Sequence, residues 1–319
     1  MASAARNVGL TPLPCRDHGY LGRAEVMNMQ RPLYWVTKTS PGPDIVFNAA
    51  GAFAQCYLAF KVSDPAFAGQ CLKHATDLYD WGINDPALKT ARHYDDAVPN
   101  VRQGLGGMGR EWQQQQALIT QHTPLLTRAP FQAKNFYSSS GTNHQILWAA
   151  ASLFHATGDS KFSSDAVKYS IMSDTDVRYG GFKGYSDWVS WDNAWFEGAA
   201  LMLEKGVDPG GDNGFKNQIL RLLSNYVQGK GDVKCVGRGG GDSSLGALLD
   251  SLIAALPRRI SPRGQRWISM WGSNRMATNV AGVALLAANS LGSYAQTAKC
   301  LAISQLHYVW GDAGARPRC

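Results

Sequence analysis

The stretch from Ile45 to Trp81 reads IVFNAAGAFAQCYLAFKVSDPAFAGQCLKHATDLYDW, and it decides the fold class. Its first half is rich in alanine and has apolar residues three and four positions apart, which predicts a helix over Ile45–Val62. Asp64 can cap a second helix and Pro65 suits its first position, so we predict that helix over about Ala66–Trp81. Two helices joined by a short turn form a helical hairpin.

The same pattern recurs along the chain, and strand signals are few. Further helices are predicted at Asn143–Ala156, from Asp159 or Ser160 to Ile171, and at Asp192–Glu204, Asn213–Gln228, Asn274–Leu291 and Tyr294–Val309. We therefore expect an all-α chain of stacked hairpins. Two stretches, Arg102–Lys134 and Lys234–Arg259, lack a helical period, although Leu245–Leu256 can still form a short helix.

Composition excludes several classes of protein. The 319 residues are 45% hydrophobic and 17% charged, which is typical of a globular protein with a sizeable core. No apolar run is long enough to cross a membrane, and the first residues, MASAARNVGLTPLPC, do not resemble a signal peptide. The six cysteines show no metal-binding spacing, so we expect no zinc site and interpret Cys56 and Cys71 as buried thiols.

The net charge of +7 does not indicate a nucleic-acid partner, because the excess lies in irregular stretches and not along one helix face. The GRGGG sequence at Gly237–Gly241 has neither the lysine nor the preceding strand of a phosphate loop. A terpene cyclase, which is an enzyme built from helices, needs Asp-rich metal motifs, and DDxxD is absent.

Six segments in the same order resemble glycoside hydrolase family 9, the inverting endo-β-1,4-glucanases. They are DHGYLGRAEVMNMQRP (Asp17–Pro32), PGPDIVFNAAGAFAQCYLAF (Pro41–Phe60), FYSSSGTNHQILWAAASLFHATGD (Phe136–Asp159), SWDNAWFEGAALML (Ser190–Leu203), SPRGQRWISMWGSNRMATNVAGVALLAA (Ser261–Ala288) and ISQLHYVWGD (Ile303–Asp312). FYSSSG and WGSNRMATN are the most specific of them.

The resemblance implies a barrel of six helical hairpins, written (α/α)6, that is incomplete at both ends. It covers residues 17–312, with insertions near 102–134 and 234–259, and leaves 1–16 and 313–319 as non-matching segments. The insertions fall where the family has short connections. We interpret both insertions as untrimmed or mispredicted coding sequence in a partial gene model.

Inverting hydrolysis requires a general acid and a general base, with their carboxyl groups about 6.5–9.5 Å apart. In the family the base lies in a DAGD-type motif before the first matching segment, and the acid is a Glu after the last. The sixteen residues before Asp17 and the seven after Asp312 contain no acidic residue, so we assign no catalytic residue. Asp95, Asp96, Asp174 and Asp176 are interpreted as residues of exposed turns or loops.

Residues that contact sugar are better retained. Sugar rings stack on aromatic faces, and their hydroxyl groups hydrogen-bond to polar or charged side chains. The resemblance implies substrate-binding positions at His18, Tyr137, Trp188, Trp271 and Arg275. The alternative for Trp271 and Arg275 is a role in helix packing.

Some family members bind a structural calcium ion through an SGxxDE segment and the Asp of the WD motif. This chain keeps Ser140, Gly141 and Asp192, but His144 and Gln145 replace the acidic pair. Calcium requires oxygen ligands, so we predict neither calcium nor any other cofactor.

The resulting hypothesis is a cellulase-type endoglucanase acting on β-1,4-glucan, without the family's acid and base. The alternative is a catalytically inactive remnant or a glucan-binding protein of the same fold. The family resemblance implies an extracellular location, and we expect neither a membrane nor a nucleic-acid partner.

Overall fold

The computed structural model describes residues 8–10, 23–26, 34–90, 139, 141–170, 189–190, 192–211, 214–228, 261, 265–266 and 272–311. These residues are almost entirely helical. The helices are α1 (Pro43–Phe60), α2 (Pro65–Asn84), α3 (Pro86–Thr90), α4 (Asn143–Thr157), α5 (Ser160–Ser170), α6 (Trp195–Glu204), α7 (Phe215–Gln228), α8 (Ser273–Ala287) and α9 (Ala295–Val309). Short 3₁₀ turns cover Ala24–Val26, Ala288–Ser290 and Gly292–Tyr294.

The predicted all-α class is confirmed, and each predicted long helix begins and ends within a few residues of the observed one. The exceptions are small. The five-residue helix α3 and an antiparallel pair of short strands, β1 (Val8–Leu10) and β2 (Tyr34–Val36), were not predicted. The two aperiodic stretches lie outside the described residues.

Local signals in the sequence set the helix ends. The Asp64 carboxylate accepts a hydrogen bond from the Phe67 N–H at 3.0 Å, and Pro65 occupies the first helical position, so the predicted start of α2 is confirmed. Gly158 ends α4 in the left-handed conformation with φ of 73°. Its N–H donates to the Phe154 carbonyl at 2.8 Å, which satisfies one of the free carbonyls of the last turn.

Within the described residues the long helices form four hairpins, α1/α2, α4/α5, α6/α7 and α8/α9. The first helices of these hairpins, α1, α4, α6 and α8, also pack against one another in chain order, and we call them the inner helices. Their partners α2, α5, α7 and α9 form an outer layer. No extensive contact joins α1 to α8 in the part of the chain that the structure describes, so the inner helices form an open arc.

The contacts between α1 and α4 show that these two helices are parallel. The backbone of Gly51 lies against the Trp148 indole. One turn further along both helices, the Gln55 amide donates to the Ser152 hydroxyl at 3.0 Å. Because the contacting residues advance together along the two helices, α1 and α4 run in the same direction.

The other inner helices are also parallel. Two hydrogen bonds join α4 to α6 and two join α6 to α8, and in each pair of helices the bonded residues advance along both helices in the same direction. The bonds are Ala194 N–H to His144 Nδ1 (3.3 Å), His155 Nε2 to the Leu201 carbonyl (2.7 Å), Asn279 Nδ2 to the Val189 carbonyl (3.0 Å) and Ser290 Oγ to the Leu203 carbonyl (2.9 Å). The amino ends of all four inner helices therefore lie at one end of the arc.

Small residues allow the inner helices to approach closely. Fully or almost fully buried alanines occur on each of them: Ala50, Ala54, Ala149, Ala150, Ala199, Ala200, Ala277, Ala281 and Ala284. A Cβ at Gly198 of α6 would meet the Leu147 side chain and the Trp148 backbone of α4. Gly51 of α1 and Gly198 of α6 therefore pack against the same turn of α4, one on each side.

The outer layer joins the first two hairpins through polar contacts. The buried Tyr79 of α2 donates its hydroxyl to Asp165 of α5 at 2.9 Å, and Lys161 pairs with Asp80 at 2.9 Å. Because the Lys161–Asp80 pair is largely exposed, its contribution to stability is small. No described helix is long and apolar enough to cross a membrane.

Replacing Gly51 with alanine tests the close packing of the inner helices. The new methyl group would overlap the Trp148 indole, so we expect Gly51→Ala to destabilise the fold by about 1–3 kcal/mol. Gly69→Ala on α2 is the matched control, because a Cβ there meets no atom within 4 Å. Alanine favours helix over glycine, so this control is expected to stabilise by up to about 1 kcal/mol. Urea unfolding of both variants measures the difference, and equal effects would contradict the packing.

Candidate functional site

The candidate site lies at the end of the arc where the four inner helices begin. Each of these helices starts within one of the segments that resemble the glucanase family. The starting residues are Pro43 of α1, Asn143 of α4, Trp195 of α6 and Ser273 of α8. Parallel packing therefore brings together segments that lie far apart in the sequence.

Polar contacts hold the beginnings of α4, α6 and α8 in fixed positions. The buried His144 accepts the Ala194 N–H at its Nδ1 atom, which requires that nitrogen to carry no proton. The Asn193 carboxamide accepts the Trp195 N–H at 3.3 Å, in the first turn of α6. Asn279 of α8 donates to the Val189 carbonyl, just before α6. The described residues at the beginnings of α4, α6 and α8 thus form a hydrogen-bonded frame.

Arg275 is the one predicted substrate-binding residue among the described residues. It lies in the first turn of α8 and is exposed, and its guanidinium group folds back towards Gly272, a glycine with φ of 66°. This exposure argues against the alternative that Arg275 acts in helix packing. His18, Tyr137, Trp188 and Trp271 lie outside the described residues, so their assignment stays a prediction.

The described carboxyl groups near this end differ in exposure. Asp44 at the start of α1 is 3% exposed, and Asp192 before α6 is half-buried. Glu25 is exposed in a 3₁₀ turn. Asp95, Asp96, Asp174 and Asp176 lie outside the described residues. The absence of an acid–base pair from this chain therefore stays a prediction.

Glu197 is a carboxyl group that the sequence analysis missed. It lies in the first turn of α6, and its Oε2 atom is shielded from solvent without a hydrogen-bond partner. Burial raises the pKa of Glu197 from 4.5 to about 8, so the group is neutral at pH 7. The sequence did contain a signal, because a single acidic residue interrupts the apolar run WFEGAALML.

A neutral carboxylic acid can donate a proton, as the general acid of a glycosidase does. A general acid must also reach the oxygen of the scissile bond. Glu197 is half-buried and only its Oε2 atom is shielded without a partner, so its place in the fold does not assign it this role.

The residues at the family's calcium position do not fit that ion. His144 presents an imidazole whose Nδ1 is already bonded to the Ala194 N–H, and Gln145 is 1% exposed. Asp192 is the one carboxylate at this position among the described residues. Calcium takes about six to eight oxygen ligands, mostly from carboxylates, carbonyls and water. The oxygen donors that the described residues offer at this position are too few, and the absence of calcium remains a prediction.

The sequence model of glycosyl hydrolase family 9 matches residues 4–316. Endoglucanase 24 of Oryza sativa subsp. japonica is 27% identical over 312 residues, which cover 94% of this chain and 48% of the rice protein. The chain thus spans about half the length of this relative.

Solved structures show the same fold. The endoglucanase of the termite Nasutitermes takasagoensis aligns with a TM-score of 0.62 and 22% identity, covering 96% of this chain and 53% of that one. The cellulase Cel9M of C. cellulolyticum, in complex with cellobiose, aligns with a TM-score of 0.57 and 22% identity, again over 96% and 53%. These structures are (α/α)6 barrels, and the arc of hairpins is part of that fold.

The pH dependence of stability tests the state of Glu197. Its pKa is raised on folding, so the unfolded chain releases this proton above about pH 4.5 while the folded chain retains it to about pH 8. The contribution of Glu197 to stability therefore falls as the pH rises between these values. We expect Glu197→Gln to gain on the order of 3 kcal/mol relative to the parent between pH 4.5 and pH 8.5.

Urea unfolding of both proteins at the two pH values measures this change. Glu204→Gln is the control, because Glu204 lies on the same helix with 54% of its side chain exposed. If the difference in unfolding free energy between Glu197→Gln and the parent is the same at both pH values, the carboxyl group is ionised in the fold.

Proposed function

The chain belongs to glycosyl hydrolase family 9, and we propose that it binds a β-1,4-glucan chain at the amino ends of its inner helices. The observation that carries the proposal is the exposed Arg275 in the first turn of α8. A guanidinium group offers five N–H donors, which suit the hydroxyl oxygens of a sugar. The cellobiose complex of Cel9M supports a cello-oligosaccharide as the ligand class.

The frame around Arg275 suits recognition of an extended ligand. The beginnings of α4, α6 and α8 are linked by the bonds of His144 and Asn279, so these three helix starts are already fixed before a ligand binds. We propose that His18, Tyr137, Trp188 and Trp271 supply further contacts, with the aromatic rings stacking on sugar faces.

Hydrolysis is the second part of the family's activity, and we propose that this chain does not perform it alone. We assign no residue of this chain to the family's general base or general acid. Inverting hydrolysis needs both groups, since one protonates the leaving oxygen and the other activates water. The alternative is an active endoglucanase whose acid and base are other carboxyl groups of this chain.

We propose that binding requires no calcium, because the donors at His144 and Gln145 do not fit that ion. β-1,4-Glucans are materials of cell walls, so the proposed substrate also favours an extracellular location. Neither nucleic acid nor a membrane is needed as a partner.

Replacing Arg275 tests the binding site directly. We expect the parent chain to bind cellotetraose in buffer containing EDTA, as measured by isothermal titration calorimetry. Loss of a hydrogen bond from a charged group costs about 1.5–3 kcal/mol, so Arg275→Ala is expected to weaken binding roughly tenfold or more. Arg221→Ala is the matched control, since Arg221 is exposed on the outer helix α7.

Release of reducing sugar from carboxymethylcellulose is measured on the same samples. We expect no turnover above a protein-free blank. Turnover by the parent would favour the active endoglucanase, and an absence of cellotetraose binding would favour an inactive remnant. Equal affinity of the Arg275→Ala variant and the parent would reject the proposed site.

A further inference from the structure

The hairpin of α1 and α2 has a seam of three facing pairs of residues. Phe53 faces His74 with ring centres 5.5 Å apart, and Phe60 faces Phe67 at 5.2 Å. In each pair one residue lies as far before the turn as its partner lies after it. These two ring contacts therefore fix how α1 and α2 are aligned, and a third pair of facing positions lies between them.

Cys56 and Cys71 occupy that middle position. They obey the same register, and their sulphur atoms are 2.7 Å apart. Neither cysteine is bonded to another residue through a disulfide. Cys56 is half-buried and Cys71 is 2% exposed, so the pair lies below the surface with Cys56 on its outer side.

We propose that Cys56 and Cys71 form a disulfide that links α1 to α2 when the protein meets a low-molecular-weight disulfide oxidant. The seam is accessible enough for the reaction, because Phe53, Phe60 and Phe67 are 37%, 42% and 43% exposed. The register of the packed hairpin already brings the two sulphur atoms to 2.7 Å, close to the roughly 2.0 Å of a disulfide bond.

The reaction balances in two exchange steps. The Cys56 thiolate attacks one sulphur of the oxidant, which forms a mixed disulfide and releases one small thiol. The Cys71 thiolate then attacks the Cys56 sulphur, which closes the bridge and releases the second small thiol. The two protein thiols are oxidised, the oxidant is reduced to two thiols, and the two protons from the cysteines go to the released thiols.

The order of attack follows from the surroundings of the two thiols. Burial, and then the hydrogen bond with Cys56, raise the pKa of Cys71 from 9.0 to about 11. Cys71 therefore remains a thiol at neutral pH, and the more exposed Cys56 is the residue that meets the oxidant first. Closure of the bridge is expected to become faster as the pH rises, since thiolates are the attacking species.

The bridge would stabilise the fold by restricting the unfolded chain. Cys56 and Cys71 are 15 residues apart, so the disulfide closes a loop of that size in every unfolded conformation. The effect on the folded hairpin is small, because the two helices already pack in this register. We expect the melting temperature to rise by about 5 °C on oxidation.

Peptide mapping tests the bridge in the full chain. The folded protein is incubated at pH 8 with oxidised glutathione, alkylated to block the remaining thiols, and digested with trypsin without reduction. Lys61 lies between the two cysteines, so they fall in separate peptides, 39–61 and 62–73. We expect mass spectrometry to find these two peptides joined by one disulfide. Recovery of both peptides with alkylated cysteines would overturn the proposal.

Two controls separate the geometry of the hairpin from random oxidation. The same treatment in guanidinium chloride is expected to give mixed pairings, and a 39–61/62–73 link that forms only there would also overturn the proposal.

Cys56→Ser is the variant control for the melting temperature, because it keeps the helix and removes one sulphur. We expect oxidation to raise the melting temperature of the parent by about 5 °C more than that of the variant. An equal rise in both proteins would contradict a bridge at this pair.

Discussion

The structure depends on how closely its inner helices pack around one turn of α4. Gly51 of α1 lies against the Trp148 indole, and Gly198 of α6 lies against the backbone of the same turn. A side chain at either glycine would separate two neighbouring helices of the inner layer. The buried alanines extend this close packing along the helices, beside larger buried side chains such as Leu147, Phe196 and Met202.

The direction of the inner helices follows from that packing and determines where a ligand can bind. Parallel helices place their beginnings at one end, so residues distant in the sequence, such as His144 and Asn279, fix one shared frame. Arg275 is presented at the same end by the first turn of α8. The fold therefore positions the proposed glucan site through helix contacts made in the core.

The sequence predicted the hairpins well because their signals are local. Asp64, Pro65 and Gly158 act within one turn of the chain, and helical spacing of apolar residues needs no tertiary information. The shielding of Glu197 and the pairing of Cys56 with Cys71 depend on which helix faces which, and no local pattern contains that information. Arg275 was found through its motif, whereas its exposure required the structure.

Hydrogen exchange in the presence of cellotetraose tests most directly whether the amino ends of the inner helices form the site. We expect slower exchange of backbone amides in the segments that begin α4, α6 and α8, and unchanged exchange near their carboxyl ends and throughout the outer helices α7 and α9. Protection confined to the outer helices, or equal at both ends of the inner ones, would contradict the proposed position of the glucan.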